Sequence, residues 1–309
     1  MKLSRGKKCN LCNNNKFKFL FKKNNYSIVK CKFCGLVTID PLPTDQGLGD
    51  LYEKEYFEAS VIKKGYSNYK VGIKDYFDYV KKEPFIQKRI KYLKQFSDGG
   101  NLLDIGCAHG FFLKAAEEEG WRVIGVDISK YACDFGKKKL HLNIINKSLE
   151  DASFPSNYFD VVTIWSFLDH TVNPMKLFKE VHRVLKAGGF LAFNISSVDS
   201  FRAIINGSDW RVIRPPEHLY YYSINTINKY LSKTGFGKTT YFGKGEVGLK
   251  HILQNPDLTM NGENVKFKFS FLRWVKLYFW GLLCYLSLKT GINNYTIGSN
   301  LDVYTYKIK

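Results

Sequence analysis

The chain has 309 residues, 45% of them hydrophobic, and a formal net charge of +19. This length suits one large domain with a small one, and the composition excludes a disordered protein. The most apolar stretch, residues 272–288, is interrupted by Arg273 and Lys276, so it does not predict a membrane-spanning helix. Polar residues and cysteines follow the basic N-terminus, which excludes a secretory signal, and we expect a cytoplasmic protein.

The basic charge is spread along the whole chain and accompanies many asparagines. This distribution favours a solvated basic surface over a nucleic-acid interface, which would need clustered cations. Nucleic acid is therefore not the expected partner, although an anionic small substrate would suit the charge equally well.

Near the N-terminus, four of the seven cysteines form two C-x2-C pairs separated by 18 residues. The four are Cys9, Cys12, Cys31 and Cys34. This is the spacing of a structural zinc site, in which each pair supplies two thiolates to one tetrahedral ion. Residues 17–21 and 26–29 are predicted to be the strands of a short ribbon. Two disulfides or a redox pair are the alternatives, but the expected compartment is reducing.

The next predicted elements form half of a Rossmann unit. A helix over 82–96 precedes a buried strand over 101–105, a glycine-containing turn over 106–110 and a helix over 111–119. A second strand, 122–126, ends in Asp127, about 20 residues beyond the turn, where an acid can accept both hydroxyls of a ribose. Because position 108 is Ala, the turn departs from the dinucleotide fingerprint G-x-G-x-x-G.

The segment Leu103-Asp-Ile-Gly-Cys-Ala-His-Gly110 instead resembles the first motif of class I methyltransferases. The resemblance implies S-adenosylmethionine as cofactor. It also implies that Asp104 orients the methionine end, that Gly106 lines it and that Asp127 holds the ribose. The other cofactor contacts expected from it are Cys107, Ala108, Gly110, Phe111, Ile128, Ser148, Leu149, Glu150, Trp165 and Ser166.

Later segments extend this resemblance. Residues 147–151 resemble the adenine-side loop of the family, and 161–165 its fourth strand, with Ser166 to His170 at the ligand edge. A helix from Asn173 to Leu185 is predicted to stop at residues 186–189, before a strand over 190–195. The run EVHRVLKAGG, residues 180–189, is similar to the corresponding run of the family.

Residues 210–219, followed by a helix within 223–235, resemble the bacterial methyltransferases that act on small molecules and glycans. That group includes deoxysugar C-methyltransferases, which also carry an N-terminal zinc module. Those enzymes usually have a further C-terminal domain that this chain is too short to hold, so oxygen is favoured over carbon as the methylated atom. The predicted acceptor contacts are Trp210, Arg211, Arg214, Tyr221 and Tyr222.

Catalysis requires alignment of the acceptor and removal of its proton. The candidate bases are His170, at the ligand edge, and His218, in the acceptor-side segment, while Asp169 could orient His170 or act alone. His109 and His182 are expected to have structural roles. Residues 267–288 fit either a buried helical cap or a helix that contacts an acidic membrane.

The sequence therefore predicts an α/β fold with a Rossmann-like, doubly wound, mostly parallel sheet and a small N-terminal zinc ribbon. The predicted parts are the ribbon over 1–45, a helical linker and cofactor lid over 46–98, and the cofactor-binding domain over 99–309. Acceptor-side insertions are expected at about 199–222 and 244–292, and residues 301–308 should form the last, antiparallel strand. An RNA methyltransferase and a non-catalytic zinc-ribbon scaffold are the alternatives, and the sequence does not predict the oligomeric state.

Overall fold

A computed structural model describes residues 6–43, 84–243, 259–260, 263–264 and 300–308. Most of the predicted linker and lid over 46–98 lies outside these residues, as does most of the predicted insertion over 244–292. The predicted cap or membrane-contacting segment, 267–288, lies wholly outside them. Within the described part of the chain, no helix combines the length and the apolar character needed to cross a bilayer.

The described residues form two compact units. The first unit comprises residues from 1–41, 195–228 and 241–302, and the second comprises residues from 42–194, 229–240 and 303–309. Residues 199–222 are predicted to be an insertion of the cofactor-binding domain. In the structure they belong to the same compact unit as the N-terminal ribbon. Their predicted contact with an acceptor stays a prediction.

The first unit contains a four-stranded antiparallel sheet with the order β1-β2-β3-β9. Its strands are β1 Phe17–Lys23, β2 Tyr26–Cys31, β3 Val37–Asp40 and β9 Tyr220–Tyr221. The first two strands are the predicted hairpin of the ribbon, and Asn24 and Asn25 adopt positive φ at its turn. The pairing of β3 with β9 was not predicted. A short helix, α5 Phe201–Asn206, and a 3-10 turn, Gly207–Asp209, precede β9.

A seven-stranded sheet with the order β10-β13-β8-β7-β4-β5-β6 has its strands β4, β5, β6 and β7 in the second unit. The strands are β4 Gly100–Ile105, β5 Trp121–Val126, β6 Ile144–Ile145, β7 Phe159–Ile164, β8 Leu185–Ser196, β10 Thr240–Gly243 and β13 Asn300–Tyr306. The helices are α1 Pro84–Leu93, α2 Phe111–Glu118, α3 Lys130–Leu140, α4 Pro174–Val184 and α6 Ile224–Lys233. A separate small hairpin pairs β11 Thr259–Met260 with β12 Glu263–Asn264.

The centre of the large sheet is parallel, because β4 pairs in parallel with both β5 and β7, and β7 with β8. The chain runs outward from β4 to β5 and β6 and then returns to β7 on the other side of β4. Ligands of open α/β sheets bind at such a switch point, outside the carboxyl ends of the strands. This mostly parallel sheet confirms the predicted fold class.

Most predicted elements are present, with two differences around α4. The Asn173 side chain accepts a hydrogen bond from the backbone N–H of Lys176 at 3.1 Å and caps the helix as predicted. The helix ends at Val184, but β8 begins at once with Leu185 and therefore includes the predicted stop, residues 186–189. Leu185 already pairs with Phe159, ahead of a register shift in β7, so the strand starts earlier than its apolar run.

Aromatic side chains link α1 and the residues after it to the sheet. The rings of Tyr92 and Tyr304 lie 4.3 Å apart, and Phe96 stacks on Phe190 at 4.2 Å. Because Tyr304 belongs to β13, the predicted last strand is confirmed as part of this sheet. Burial of such large rings contributes strongly to a hydrophobic core.

Candidate active site and metal centre

The turn over residues 106–110 joins β4 to α2 at the switch point. The backbone N–H groups of Gly106 and Cys107 both donate to Val126 O, at 2.9 and 3.2 Å, which fastens the turn to the end of β5. Gly106 has a φ of +68°, and a Cβ there would lie 2.4 Å from Cδ2 of Phe167. Only glycine therefore fits this position. The turn leaves the first N–H groups of α2 without a side-chain cap.

Asp127 follows β5 and is bound to this turn. Its Oδ2 accepts the backbone N–H of Ala108 at 2.9 Å, and its Oδ1 accepts that of Ser129, also at 2.9 Å. Burial raises the pKa of Asp127, while the backbone N–H donors oppose that shift. Each carboxylate oxygen can accept more than one hydrogen bond, so the group can still receive hydroxyl donors.

Asp104 lies at the carboxyl end of β4 and is only 3% exposed. The Thr163 hydroxyl donates to its Oδ1 at 2.7 Å. Burial raises the pKa of Asp104 to about 7, against the lowering effects of the Thr163 hydrogen bond and of the Arg89 charge. A carboxyl held in this way can be either charged or neutral near neutral pH.

The raised pKa of Asp104 predicts a pH-dependent stability. The folded state binds this proton more tightly than the unfolded chain, whose pKa is near 3.8, so the free energy of unfolding should fall as the pH rises towards 7. We expect Asp104→Asn to be as stable as the parent protein at pH near 4 and more stable above pH 7, by up to about 4 kcal/mol. Urea unfolding of both proteins at the two pH values measures this. An equal pH dependence in both would contradict it.

Arg89, which the sequence analysis missed, is a buried cation beside Asp104. It is 4% exposed, and its guanidinium carbon lies 3.8 Å from the centre of the Trp165 ring. Among the described residues, the indole N–H of Trp165 is buried and has no hydrogen-bond partner. The unsatisfied N–H beside a buried arginine is a donor that a polar ligand can satisfy.

The remaining predicted cofactor contacts lie at the same edge of the sheet. Ser166 has a φ of +54°, and its backbone N–H donates to Oδ1 of Asn194 at 2.6 Å. The hydroxyl of Ser148 donates to Asp151 at 2.6 Å, which closes the loop after β6. Leu149 is buried in that loop, Glu150 and Phe111 are partly exposed, and Ile128 is 43% exposed next to Asp127. The turn itself contributes Cys107, Ala108 and Gly110.

His170 and Asp169 follow β7 in the second unit. Nε2 of His170 lies 3.7 Å from Oδ1 of Asp169, and their side chains are 12% and 15% exposed. The backbone N–H of His170 donates to Phe167 O at 2.9 Å, which holds the pair in a turn. This arrangement can stabilise a protonated imidazole at the ligand edge. His109, by contrast, packs against the Phe135 ring at 4.7 Å, and burial lowers its pKa to about 4.

In the first unit, the two cysteine pairs form matching turns. Cys9 N–H donates to Asn14 O at 2.8 Å, and Cys31 N–H donates to Leu36 O at 2.9 Å. In each turn, the backbone N–H of the residue four positions after the first cysteine donates to the carbonyl oxygen of that cysteine. The same residue has a positive φ. These residues are Asn13, at +59°, and Gly35, at +85°. Two turns of one geometry present four sulfurs to the same point.

The four sulfurs fit a tetrahedral metal ion. They lie within 4.8 Å of one another, with Cys9 Sγ 3.4 Å from Cys34 Sγ and Cys12 Sγ 3.6 Å from Cys31 Sγ. Zinc–sulfur bonds of about 2.3 Å in a tetrahedron place sulfurs about 3.8 Å apart. The hydrogen bond between the Cys9 and Cys34 sulfurs lowers the pKa of Cys34 and raises that of Cys9, so the first thiolate of this pair forms at Cys34.

His218 also belongs to the first unit, where both ring nitrogens have polar neighbours. Nδ1 lies 2.6 Å from Val212 O, and Nε2 lies 3.3 Å from Nη2 of Arg214. A carbonyl can only accept, so Nδ1 carries a proton and Nε2 is the acceptor. Arg214 also lies 3.7 Å from Oε2 of Glu217.

The predicted acceptor contacts of the first unit differ in exposure. Tyr221 and Tyr222 are each 1% exposed, and the Tyr221 hydroxyl donates to His218 O at 3.1 Å. Trp210 is 4% exposed, whereas Arg211 is exposed and Arg214 half-buried. The two arginines are therefore accessible to an anionic ligand, and the aromatic side chains pack inside the unit.

Comparison with known proteins shows which family and which proteins this chain resembles. Residues 77–241, slightly more than half of the chain, match a family described as a methyltransferase domain. A ubiquinone biosynthesis O-methyltransferase of Coxiella burnetii is 30% identical over 113 residues, covering 34% of this chain and 48% of the relative. An uncharacterized protein of Methanocaldococcus jannaschii is 30% identical over 146 residues, covering 44% of this chain and 56% of the relative. The chain thus spans about half the length of the curated relatives it matches.

A solved structure supports the fold. The S-adenosylmethionine-dependent methyltransferase of Archaeoglobus fulgidus matches with a TM-score of 0.54 at 19% identity, over 82% of this chain and 99% of that one. At this identity the similarity shows the fold alone. The sheet order and the fold match together confirm the class I architecture that the motif at 103–110 predicted.

Proposed function

Because the chain belongs to the family of methyltransferase domains, we propose that it transfers a methyl group from S-adenosylmethionine to a hydroxyl of a small molecule or glycan. One observation carries the proposal: Asp127 is hydrogen-bonded to the glycine turn at the switch point of the parallel sheet. An acid in that place is suited to a ribose. The name of the Coxiella relative, an O-methyltransferase, supports oxygen as the acceptor atom.

The cofactor would lie along the edge formed by the ends of β4, β5 and β7. S-adenosylmethionine supplies a methyl group already activated by its sulfonium. Asp127 would accept the ribose hydroxyls, the exposed side chain of Ile128 would cover the adenine, and the loop from Ser148 to Glu150 would close on the base. Asp104 would accept from the ammonium of the methionine end, and Arg89 beside it would face the carboxylate.

His170 is the base that we propose for the acceptor hydroxyl. The His170 imidazole would take the proton of the acceptor hydroxyl, whose oxygen would receive the methyl group that S-adenosylmethionine supplies. Asp169, 3.7 Å away, stabilises the resulting charge. His218 is a second candidate, but its Nε2 already faces Arg214, which would have to move aside first.

The acceptor itself is proposed to carry a negative charge, as a nucleotide-linked sugar does. Arg211 and Arg214 are the accessible cations among the predicted acceptor contacts, and guanidinium groups suit phosphate geometry. Trp210, Tyr221 and Tyr222 would then support these side chains from inside the unit.

We also propose that the four cysteines hold a structural zinc ion, since four sulfur ligands leave no open coordination position for catalysis. Such thiolates persist in a reducing compartment, which supports a cytoplasmic location.

The direct test is transfer of an isotope-labelled methyl group from S-adenosylmethionine. The purified, zinc-loaded protein is incubated with phenols, free sugars and nucleotide sugars, and separately with small molecules extracted from the source organism. Label is expected in a hydroxyl-bearing compound with an equimolar amount of S-adenosylhomocysteine. Label found only in RNA or protein would contradict the proposal.

Replacing His170 with alanine should lower turnover of the acceptor so identified by about 100-fold to 10,000-fold, because the general base is lost. The affinity for S-adenosylmethionine should stay within about twofold, since proton removal is not part of cofactor binding. His141→Asn is the matched control, because His141 is exposed and its φ of +57° suits asparagine. Unchanged turnover in His170→Ala would show that another residue acts as the general base.

A further inference from the structure

Four lysines lie on one face of the N-terminal hairpin. Lys18 in β1 is the direct cross-strand partner of Lys30 in β2. One step further along the same pairing, the backbone N–H of Lys32 donates to Lys16 O at 2.9 Å. Directly opposed residues share a face, and so do residues two apart along a strand. Lys16, Lys18, Lys30 and Lys32, here called the lysine ladder, therefore point to the same side, and all four are exposed.

The lysine ladder concentrates positive charge without local compensation. Like charges directly opposite each other on a sheet are destabilising, and the two pairs are only about 7 Å apart along the strands. In the described part of the chain, none of the four forms an ion pair. The one acidic residue within 6–43 is Asp40, which is buried and paired with Lys7 at 3.1 Å.

Lys30 lowers the pKa of the Asp199 carboxyl, but burial outweighs this effect and raises that pKa overall. A partner with many negative charges would remove the remaining repulsion.

The same ribbon exposes large apolar side chains. Phe33, which directly follows Lys32, is 65% exposed, Phe19 is 45% exposed and Leu20 is 37% exposed. Leu20 lies at the register shift between Phe19 and Phe21, so it is not paired in the hairpin. Phe19 pairs with Val29 and so lies on the opposite face from Lys18, whereas Phe33 is next to Lys32 in the chain. An exposed aromatic side chain next to a lysine of the ladder fits a partner that is both anionic and hydrophobic.

We propose that the lysine ladder docks the ribbon on an anionic phospholipid bilayer, with Phe33 entering the interface. Charge complementarity favours this partner, because lysines near an acidic membrane each contribute to binding. Single-stranded nucleic acid is less well matched, since residues 6–43 contain no arginine, the side chain that best suits phosphate geometry. The inference does not depend on the methyl-transfer proposal.

The experiment measures binding of the full-length, zinc-loaded protein to vesicles by sedimentation. One set of vesicles is pure phosphatidylcholine, and the other contains roughly one third phosphatidylglycerol. The ladder variant carries Lys16→Gln, Lys18→Gln, Lys30→Gln and Lys32→Gln. The matched control removes the same charge from exposed positions on α3 and α4 with Lys137→Gln, Lys139→Gln, Lys176→Gln and Lys179→Gln. Zinc content confirms that both variants keep the ribbon folded.

The parent protein is expected to bind the acidic vesicles and not the neutral ones. The ladder variant should partition on the order of 100-fold less, and the control variant less than about threefold less. Phe33→Ser should reduce binding by about tenfold, and this loss should persist at high salt, where the lysine contribution is screened. Equal losses in the two quadruple variants would overturn the proposal. So would tighter binding of a single-stranded oligonucleotide that displaces the protein from the vesicles.

Discussion

Replacing Cys31 with serine is expected to release the metal ion and unfold the N-terminal ribbon. Metal binding supplies about 10 kcal/mol or more to small zinc modules, which exceeds what so few residues can gain from apolar burial. The change removes one of four sulfurs that lie within 4.8 Å of one another. Because β9 pairs with β3, the loss of order should extend to Tyr220 and Tyr221, about 190 residues away in sequence.

Two measurements test this prediction. Elemental analysis should give one zinc per chain in the parent protein and none in Cys31→Ser. Hydrogen exchange should show lost protection in β1, β2, β3 and β9. Cys133→Ser is the control, because this cysteine lies on α3, is not one of the four clustered sulfurs and should leave the zinc content unchanged. A ribbon that stays protected without metal would show that apolar packing alone holds it.

Replacing Asp127 with alanine is expected to weaken binding of S-adenosylmethionine by at least 100-fold. The variant would lack the two charge-assisted hydrogen bonds from the ribose hydroxyls to the carboxylate, each contributing about 1.5–3 kcal/mol. The backbone N–H groups of Ala108 and Ser129, which donate to Asp127 at 2.9 Å, would also lose their acceptor, and the turn would loosen. Calorimetric titration measures the change in affinity.

Stability and a matched control separate this loss from unfolding. Burial raises the pKa of Asp127, so removing its charge is favourable, but the N–H groups of Ala108 and Ser129 lose their acceptor. The melting temperature of Asp127→Ala is therefore measured beside its affinity. The matched control is Asp134→Ala, which removes an acid from the helix α3. The side chain of Asp134 pairs with exposed Lys130 at 2.8 Å. That variant should bind the cofactor like the parent. An Asp127→Ala protein of undiminished affinity would remove the ribose assignment.

The elements around the switch point could be predicted because their signals are local. Residues 106–110 need glycine where the backbone turns, and Asp127 stands at the end of a short buried strand. The cysteine spacing likewise predicted the cluster, since the backbone hydrogen bonds that form each C-x2-C turn lie within six consecutive residues. In each case the chemistry lies within a few residues of the motif.

Other features depend on contacts between distant parts of the chain. In the helix α1, Arg89 is three residues after Ile86 and four before Leu93, so helical spacing places it beside the apolar stripe. That signal predicts burial of Arg89, but its contact with Trp165 depends on a distant part of the chain. The pairing of Tyr220 with Thr38 is similarly invisible in sequence, because both segments are short and strongly separated. Opposed lysines in the ribbon also become apparent only once the register is known.

Calorimetric titration of the zinc-loaded protein tests whether this chain binds S-adenosylmethionine at the Asp127 edge of its sheet. We expect saturable, one-to-one binding of S-adenosylmethionine and of S-adenosylhomocysteine, each competing with the other. Absence of binding by either compound, in a protein that is folded and carries its zinc, would contradict it.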